Sequence, residues 1–461
     1  MLWEYIKQNM LQHQDKRLRE NGYSLTYEEV VIIAETFAER LDDECYAILC
    51  DSELYAGIAV LACIAANVTA VPLSHRYGEK HIKQIVQHIR PPKIITCANN
   101  QLSISDIDTG QYQAPEEMAQ FIMCTSGTTG APKGIMLSKT NVLSTLWGIK
   151  DYFNITSKDA ILIPRTLYHC PVLVGEFLYS LCRGLDISFY SGKFVPSQIF
   201  SQISENKTTV MGLTPTLALT LGKCVKNQNL IKSLKNIVIS GECLTSFDAN
   251  RLLSYYPNCN IYHVYGLTEA GPRVCYLPPK CFSAHRDKVG VPLKSISLKI
   301  IDEQGHELGT NQAGQLVATG PNIMLGYYND KAATDRVIKV CENSKRWLHT
   351  GDIAMCDEKG YYKILGRMDD LIIKAGMNIY PSEIENLLKQ DSRVQGVVVY
   401  SVDKNNFTKI AIDIRGDFSD TSQVRQLCRK VLPDYALPAI IRLNQEISQN
   451  SSGKISRALK H

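Results

Sequence analysis

At 461 residues, with 45% hydrophobic and 21% charged side chains and a net charge of +4, the chain is long enough for at least two domains and a sizeable core. It is too nearly neutral to have nucleic acid or an anionic membrane as its main partner. The opening stretch "MLWEYIKQNMLQHQDKRLRE" scatters charges where a signal peptide needs a continuous apolar run, and the longest apolar segment, "AGIAVLACIAA", is too short to span a bilayer. A cytoplasmic protein with no membrane span is expected.

From Thr26 onward, helical and strand-like apolar patches alternate: "YEEVVIIAETFAERL" reads as a helix, "CYAILC" as a strand, "AGIAVLACIAA" as a buried helix and "PKIIT" as a strand. After a glycine-rich loop the texture resumes with "KTNVLSTLWGIKDYF", a helix capped near Ser138, and then the strands "KNIVIS" and "NIYHV". The alternation predicts an α/β fold with crossover helices. Around Ile296 to Tyr328 the pattern turns to short strands with glycine turns ("ISLKIID", "GQLVATG"), as in a β-rich subdomain. The last ninety or so residues carry a small α+β set of their own. Its helix "YPSEIENLLKQ" starts at Pro381 and aligns Ile384, Leu387 and Leu388, and its helix "TSQVRQLCRKVLP" aligns Val424, Leu427, Cys428 and Val431. The strands there are "VQGVVVY" and "KIAIDI". The fifteen cysteines are dispersed, with no C-x-x-C pair or zinc-finger spacing, and read as mostly buried small hydrophobes.

The loop "TSGTTGAPKG" (125–134) follows the apolar run "FIMC". Backbone N–H groups and hydroxyls at a strand end suit an anion, above all a polyphosphate. A Walker A loop would require Gly-Lys-Ser/Thr where this chain has Pro132, Lys133 and Gly134, so an ordinary P-loop NTPase is disfavoured. The loop resembles instead the phosphate loop of the adenylate-forming superfamily of acyl-CoA synthetases, nonribosomal peptide adenylation domains and luciferases. In the same order along the chain, "YGLTEAG" (265–271), "WLHTGDIA" (347–354), "GRMDDLIIKAGMNIYPSEIE" (366–385) and "NSSGKISR" (450–457) resemble that family's core motifs.

The resemblance implies a core domain over 1–368 and a small mobile domain over 369–461, hinged at Asp369. It implies ATP and Mg²⁺ as cofactors. Thr125, Ser126, Gly127, Thr128, Thr129 and Gly130, with Lys133, would form the loop holding the β- and γ-phosphates; Thr268 would touch the α-phosphate and Glu269 would bind Mg²⁺. Gly241, Glu242, Tyr265 and Gly266 fall where the family flanks adenine, Asp352 where it binds both ribose hydroxyls, and Arg367 beside it. Lys454 would bridge the acid's carboxylate and the α-phosphate, and Gly376 would leave room for a pantetheine arm.

His169, in "LIPRTLYHCPVLVGEFLYSL", matches the motif that opens the acid pocket in acyl- and aryl-acid ligases; a buried structural histidine is the bland alternative. No Phe-Asp pair of the α-amino acid type occurs there. Glu176 reads as a surface helix residue or as a partner for a displaced amino group. With no carrier domain after "NSSGKISR", the acceptor would be CoA or the phosphopantetheine of a separate carrier protein. The early position of the phosphate loop suggests a trimmed N-terminal subdomain. The activity implied is acid plus ATP to acyl-AMP and pyrophosphate, then thioester. Transfer to an amine or hydroxyl is the second reading, and a nucleotide-binding regulator without catalysis the third.

Overall fold

In the computed structural model, residues 1–108, 110–126, 132–341, 344–374, 377–404 and 407–444 are described. Helix starts follow side-chain caps. Thr26 and Glu29 form a reciprocal capping box ahead of the helix Tyr27–Ala38, and Ser138 with Asn141 does the same for Lys139–Tyr152. The helix Glu53–Ala66 is apolar nearly all round because it is buried nearly all round, capped by Ser52 and ended by Asn67 at φ +61°.

Two large sheets share one continuous apolar core. The nine-stranded sheet contains six parallel neighbours in the spatial order Asn260–Tyr265, Asn236–Ile239, Val210–Leu213, Ala160–Ile163, Asp186–Phe189, Arg17–Glu20. Consequently the segments after four of these strands, beginning at Pro164, Thr214, Ser240 and Gly266, leave along one edge, where open α/β sheets bind ligands. The seven-stranded sheet has Thr69–Pro72, Cys45–Cys50 and Lys93–Ala98 in parallel at its centre. Its Phe121–Ser126 strand is antiparallel to Pro132–Leu137, with Thr125 opposite Lys133. The glycine-rich loop therefore joins two strands of a hairpin, unlike the strand-to-helix loop of a Walker A site.

The β-rich part extends further than the sequence pattern indicated. An antiparallel five-stranded sheet runs from Ser297–Ile301 to Tyr362–Arg367, and its longest strand, Arg346–Cys356, contains "WLHTGDIA". From Ile372 onward the residues gather round a separate core. There a three-stranded sheet (Val394–Lys404, Phe407–Gly416, Ile440–Leu443) packs with helices Pro381–Leu388 and Thr421–Val431. Ile384, Leu388, Val424, Leu427 and Cys428 are buried as patterned, while Leu387 and Val431 are only partly covered. Seven of the fifteen cysteines are buried, and Cys224, Cys243 and Cys341 are exposed, so burial accounts for about half of them. Among the described residues no helix is long and apolar enough to cross a membrane.

Candidate active site

The "YGLTEAG" segment leaves the strand Asn260–Tyr265 and makes one 3₁₀ turn, Thr268–Ala270, closed by Gly271 at φ +60°. Gly266 is required here: a Cβ would run into the carbonyl of Pro272. The turn holds Glu269 half-buried. Its carboxylate accepts a hydrogen bond from the Tyr327 hydroxyl at 3.0 Å, and the Lys133 ammonium stands 5.1 Å above the Tyr327 ring. Backbone bonds tie the same pieces together, from Met324 N–H to the Glu269 carbonyl at 2.9 Å and from Tyr328 N–H to the Gly134 carbonyl at 2.7 Å. The phosphate hairpin and the Glu269 turn are thus held by one intervening segment, 324–328. Burial, then the charge of Glu269, lifts the Tyr327 phenol far above its ordinary range, so it remains a donor.

At the other end of the turn, the Tyr265 hydroxyl donates to Asp352. Arg367 Nη1 donates to Asp352 Oδ1 at 3.1 Å and to the Thr350 carbonyl at 3.0 Å. Asp352 is buried, on the strand Arg346–Cys356 opposite Arg367. Burial first, and then the Asp352 charge, holds Tyr265 well above the phenol range. The Arg367 guanidinium is half-exposed. Glu242, just after the Asn236–Ile239 strand, accepts from Thr216 N–H at 3.2 Å and Thr216 Oγ1 at 2.7 Å, and Gly241 has φ +93°, a backbone that suits glycine. Thr125, next to last on its hairpin strand, stands in register with Lys133.

His169 is half-buried, occupies the N-cap position of the short helix Cys170–Val172 without a side-chain capping bond, and rests its ring 4.0 Å from that of Tyr168. Asp369 is exposed on the 3₁₀ turn Met368–Asp370. For Ser126 only the backbone, as the last residue of its strand, is described. Gly127, Thr128, Thr129, Gly130, Gly376 and Lys454 lie outside the described residues.

Glu176 corrects the sequence reading. It is 3% exposed rather than on the surface, and it is ion-paired with Arg165. The apolar neighbours along "PVLVGEFLYSL" bury every side of this segment, which winds as a π-helix over Leu173–Leu178. Sequence reasoning also missed Tyr327, Arg165 and Arg273. "GYY" gave no chemical signal, but the arginines were visible as charges inside apolar stretches.

No group of three or more His, Cys, Asp or Glu that could hold a metal by itself occurs among the described residues. A lone oriented carboxylate such as Glu269 suits magnesium, which takes one or two carboxylates and completes its shell with phosphate oxygens and water.

The sequence pattern of the family described as AMP-binding enzyme matches residues 108–328. The long-chain-fatty-acid–CoA ligase of Salmonella typhimurium is 28% identical over 388 residues, covering 82% of this chain and 67% of that protein. The feruloyl-CoA synthase of an Amycolatopsis species is 25% identical over 419 residues, covering 86% and 84%. Among solved structures, O-succinylbenzoate coenzyme A synthetase (MenE) from Bacillus subtilis with AMP superposes at a TM-score of 0.86, with 22% identity over 99% of this chain and 98% of that one. Its complex with ATP and magnesium ion gives 0.84, at 22% identity and 98% of each chain. The chain belongs to the adenylate-forming superfamily. Within it, the protein is an AMP-forming ligase.

Proposed function

We propose that the protein joins a carboxylic acid to the α-phosphate of ATP, releasing pyrophosphate, and passes the acyl group to the thiol of CoA or of phosphopantetheine on a separate carrier protein. The observation that carries this reading is the pair of residue sets at the two ends of one short turn. Lys133, Tyr327 and Glu269 stand at one end, and Tyr265, Asp352 and Arg367 at the other. The first set offers a cation and a carboxylate suited to Mg²⁺ and triphosphate. The second offers a carboxylate whose two oxygens can receive the ribose hydroxyls, with Arg367 beside it.

In this reading Thr125, Ser126 and the loop 127–130 steady the departing pyrophosphate, Thr268 touches the α-phosphate, and Gly241, Glu242 and the Tyr265 ring border adenine. Bringing a carboxylate against a phosphate demands positive charge at the reacting oxygens. Lys454 supplies it from a domain over 369–461 that swings at Asp369, and the swing that follows brings Gly376 beside the pantetheine arm. His169 borders the acid. Mg²⁺, when bound, would neutralise phosphate charge.

Pyrophosphate exchange across aryl, fatty and short acids tests the first half, and mass measurement of the thioester with CoA or carrier protein tests the second. Lys454→Ala is expected to abolish exchange while leaving thioester formation from supplied acyl-AMP. Unchanged exchange in that variant refutes the role given to Lys454. An overall reaction that survives Gly376→Trp points to an amine or hydroxyl acceptor instead.

A further inference from the structure

Three charged side chains are buried around the π-helical turn Leu173–Leu178, and the nucleotide reading uses none of them. Glu176 is 3% exposed and Arg273 2%, and the Arg165 side chain 9%. Arg165 Nη2 pairs with Glu176 Oε1 and lies 3.4 Å from Ser240 Oγ. The Glu176 carboxylate sits over Gly212, where a Cβ would collide with it. On the other side of the turn the Arg273 guanidinium lies over Gly175, so close that a Cβ there would be 2.7 Å from Nη2. Arg273 reaches the Tyr152 phenol and, at 3.5 Å, the Pro272 carbonyl, and it has no ion pair among the described residues. Arg165 Nε, Glu176 Oε2 and Arg273 Nε are buried with no hydrogen-bond partner.

The charge count is two guanidiniums against one carboxylate. Glu176 is matched by Arg165, which leaves Arg273 as an uncompensated buried cation. A guanidinium cannot shed its proton to escape that cost, and an unpaired buried charge costs several kcal/mol. The position indicates what compensates it. Arg273 follows Glu269 by four residues, and the Cys170 thiol, next to His169, feels both the Arg273 and Glu269 charges. By its contact over Gly175 the cation lies on the segment that follows His169, where the acid-ligase reading runs the acid's tail.

We propose that Arg273 receives a second carboxylate at the far end of the acid, so that the substrate is a short dicarboxylic acid. This rests on the acid-ligase reading above. The space over Gly175 that an aliphatic tail would fill holds a charged group, which disfavours a long-chain fatty acid. The pairing of Glu176 with Arg165 equally disfavours an amino-terminated acid.

The test compares dicarboxylic acids of three to eight carbons with their half methyl esters, which keep the shape and remove the second charge. Pyrophosphate exchange by the unaltered protein is expected to favour one diacid over its half ester by about 100-fold in kcat/KM, as for breaking a buried charge pair. Arg273→Met is expected to lower the diacid value about 100-fold and to change the half-ester value less than threefold, with Arg273→Lys between. Half esters or simple fatty acids used as well as every diacid overturn the proposal, as does an equal loss on both substrates in Arg273→Met. The comparison in the unaltered protein stands even if the variant does not fold. No exchange with any acid overturns the ligase reading itself.

Discussion

Replacing Tyr327 by Phe isolates one hydrogen bond. The ring stays, and with it the packing and the Lys133 ammonium 5.1 Å above it; only the hydroxyl that donates to Glu269 at 3.0 Å is lost. A hydrogen bond to a charged acceptor contributes about 1.5–3 kcal/mol. Because the bond is only part-buried, with Glu269 half-exposed, the lower figure applies, about tenfold in an equilibrium constant. If Glu269 meets Mg²⁺ on the triphosphate, the loss is expected to raise the KM for Mg·ATP about tenfold in the exchange assay and the acid KM less than twofold. In a Glu269→Gln background the same change is expected to have no further effect, since the group it orients is no longer an anion. Kinetic constants within twofold of the unaltered protein would refute the idea that Tyr327 sets the Glu269 carboxylate.

Two poorly solvated groups, buried His263 and half-buried Glu53, make opposed pH predictions. Burial pushes His263 down to about 4, and its Nδ1 must donate to the Lys288 carbonyl at 3.0 Å, which fixes the neutral tautomer. Its folded pKa lies below the unfolded value of about 6.5, so its stabilisation is present above that pH and lost as pH falls toward 4, in all about 3 kcal/mol. His263→Asn keeps a donor and is expected to remove this acid loss in urea midpoints between pH 7 and 4. Glu53 behaves inversely. Burial raises it to about 7 while Leu167 N–H donates to it at 2.8 Å, so its ionised form burdens the fold above pH 7 and the burden disappears below about 4.5. Glu53→Gln is expected to stabilise the protein at pH 8 by up to about 3 kcal/mol and to leave it unchanged at pH 4.5. The two contributions offset each other in the unaltered chain, so each variant should tilt the stability profile in the opposite direction; parallel tilts would refute the assignment.

The helix starts were legible because their causes are local: Thr26, Ser138 and Pro381 act on residues within one turn. The nucleotide-side motifs were legible for a related reason, since each packs several special residues into ten or fewer positions. The strand Pro132–Leu137 was not, because "PKGIML" has a proline and a glycine among its first three residues and is held as a strand by its partner Phe121–Ser126 across the hairpin. Tyr327 was illegible for the same kind of reason. The role proposed for it rests on contact with Glu269, 58 residues away, which only the packing of segment 324–328 between hairpin and turn brings about.

Glu176 shows where a sequence prior misleads. A glutamate in a helical pattern is usually solvated, but here every fourth or third neighbour is apolar too, and the segment is buried on all sides. In such a setting a charge survives only with a partner, so the useful question of the sequence is which cation matches it. "LIPRTLYHC" contains Arg165 eleven residues earlier, inside another apolar stretch, and the two meet. The same question asked of Arg273 finds no carboxylate among the described residues. An arginine that folding buries without a counter-ion carries a desolvation cost that a bound anion would relieve. In an acid-activating enzyme the group most readily available to do so is a second carboxylate on the acid itself.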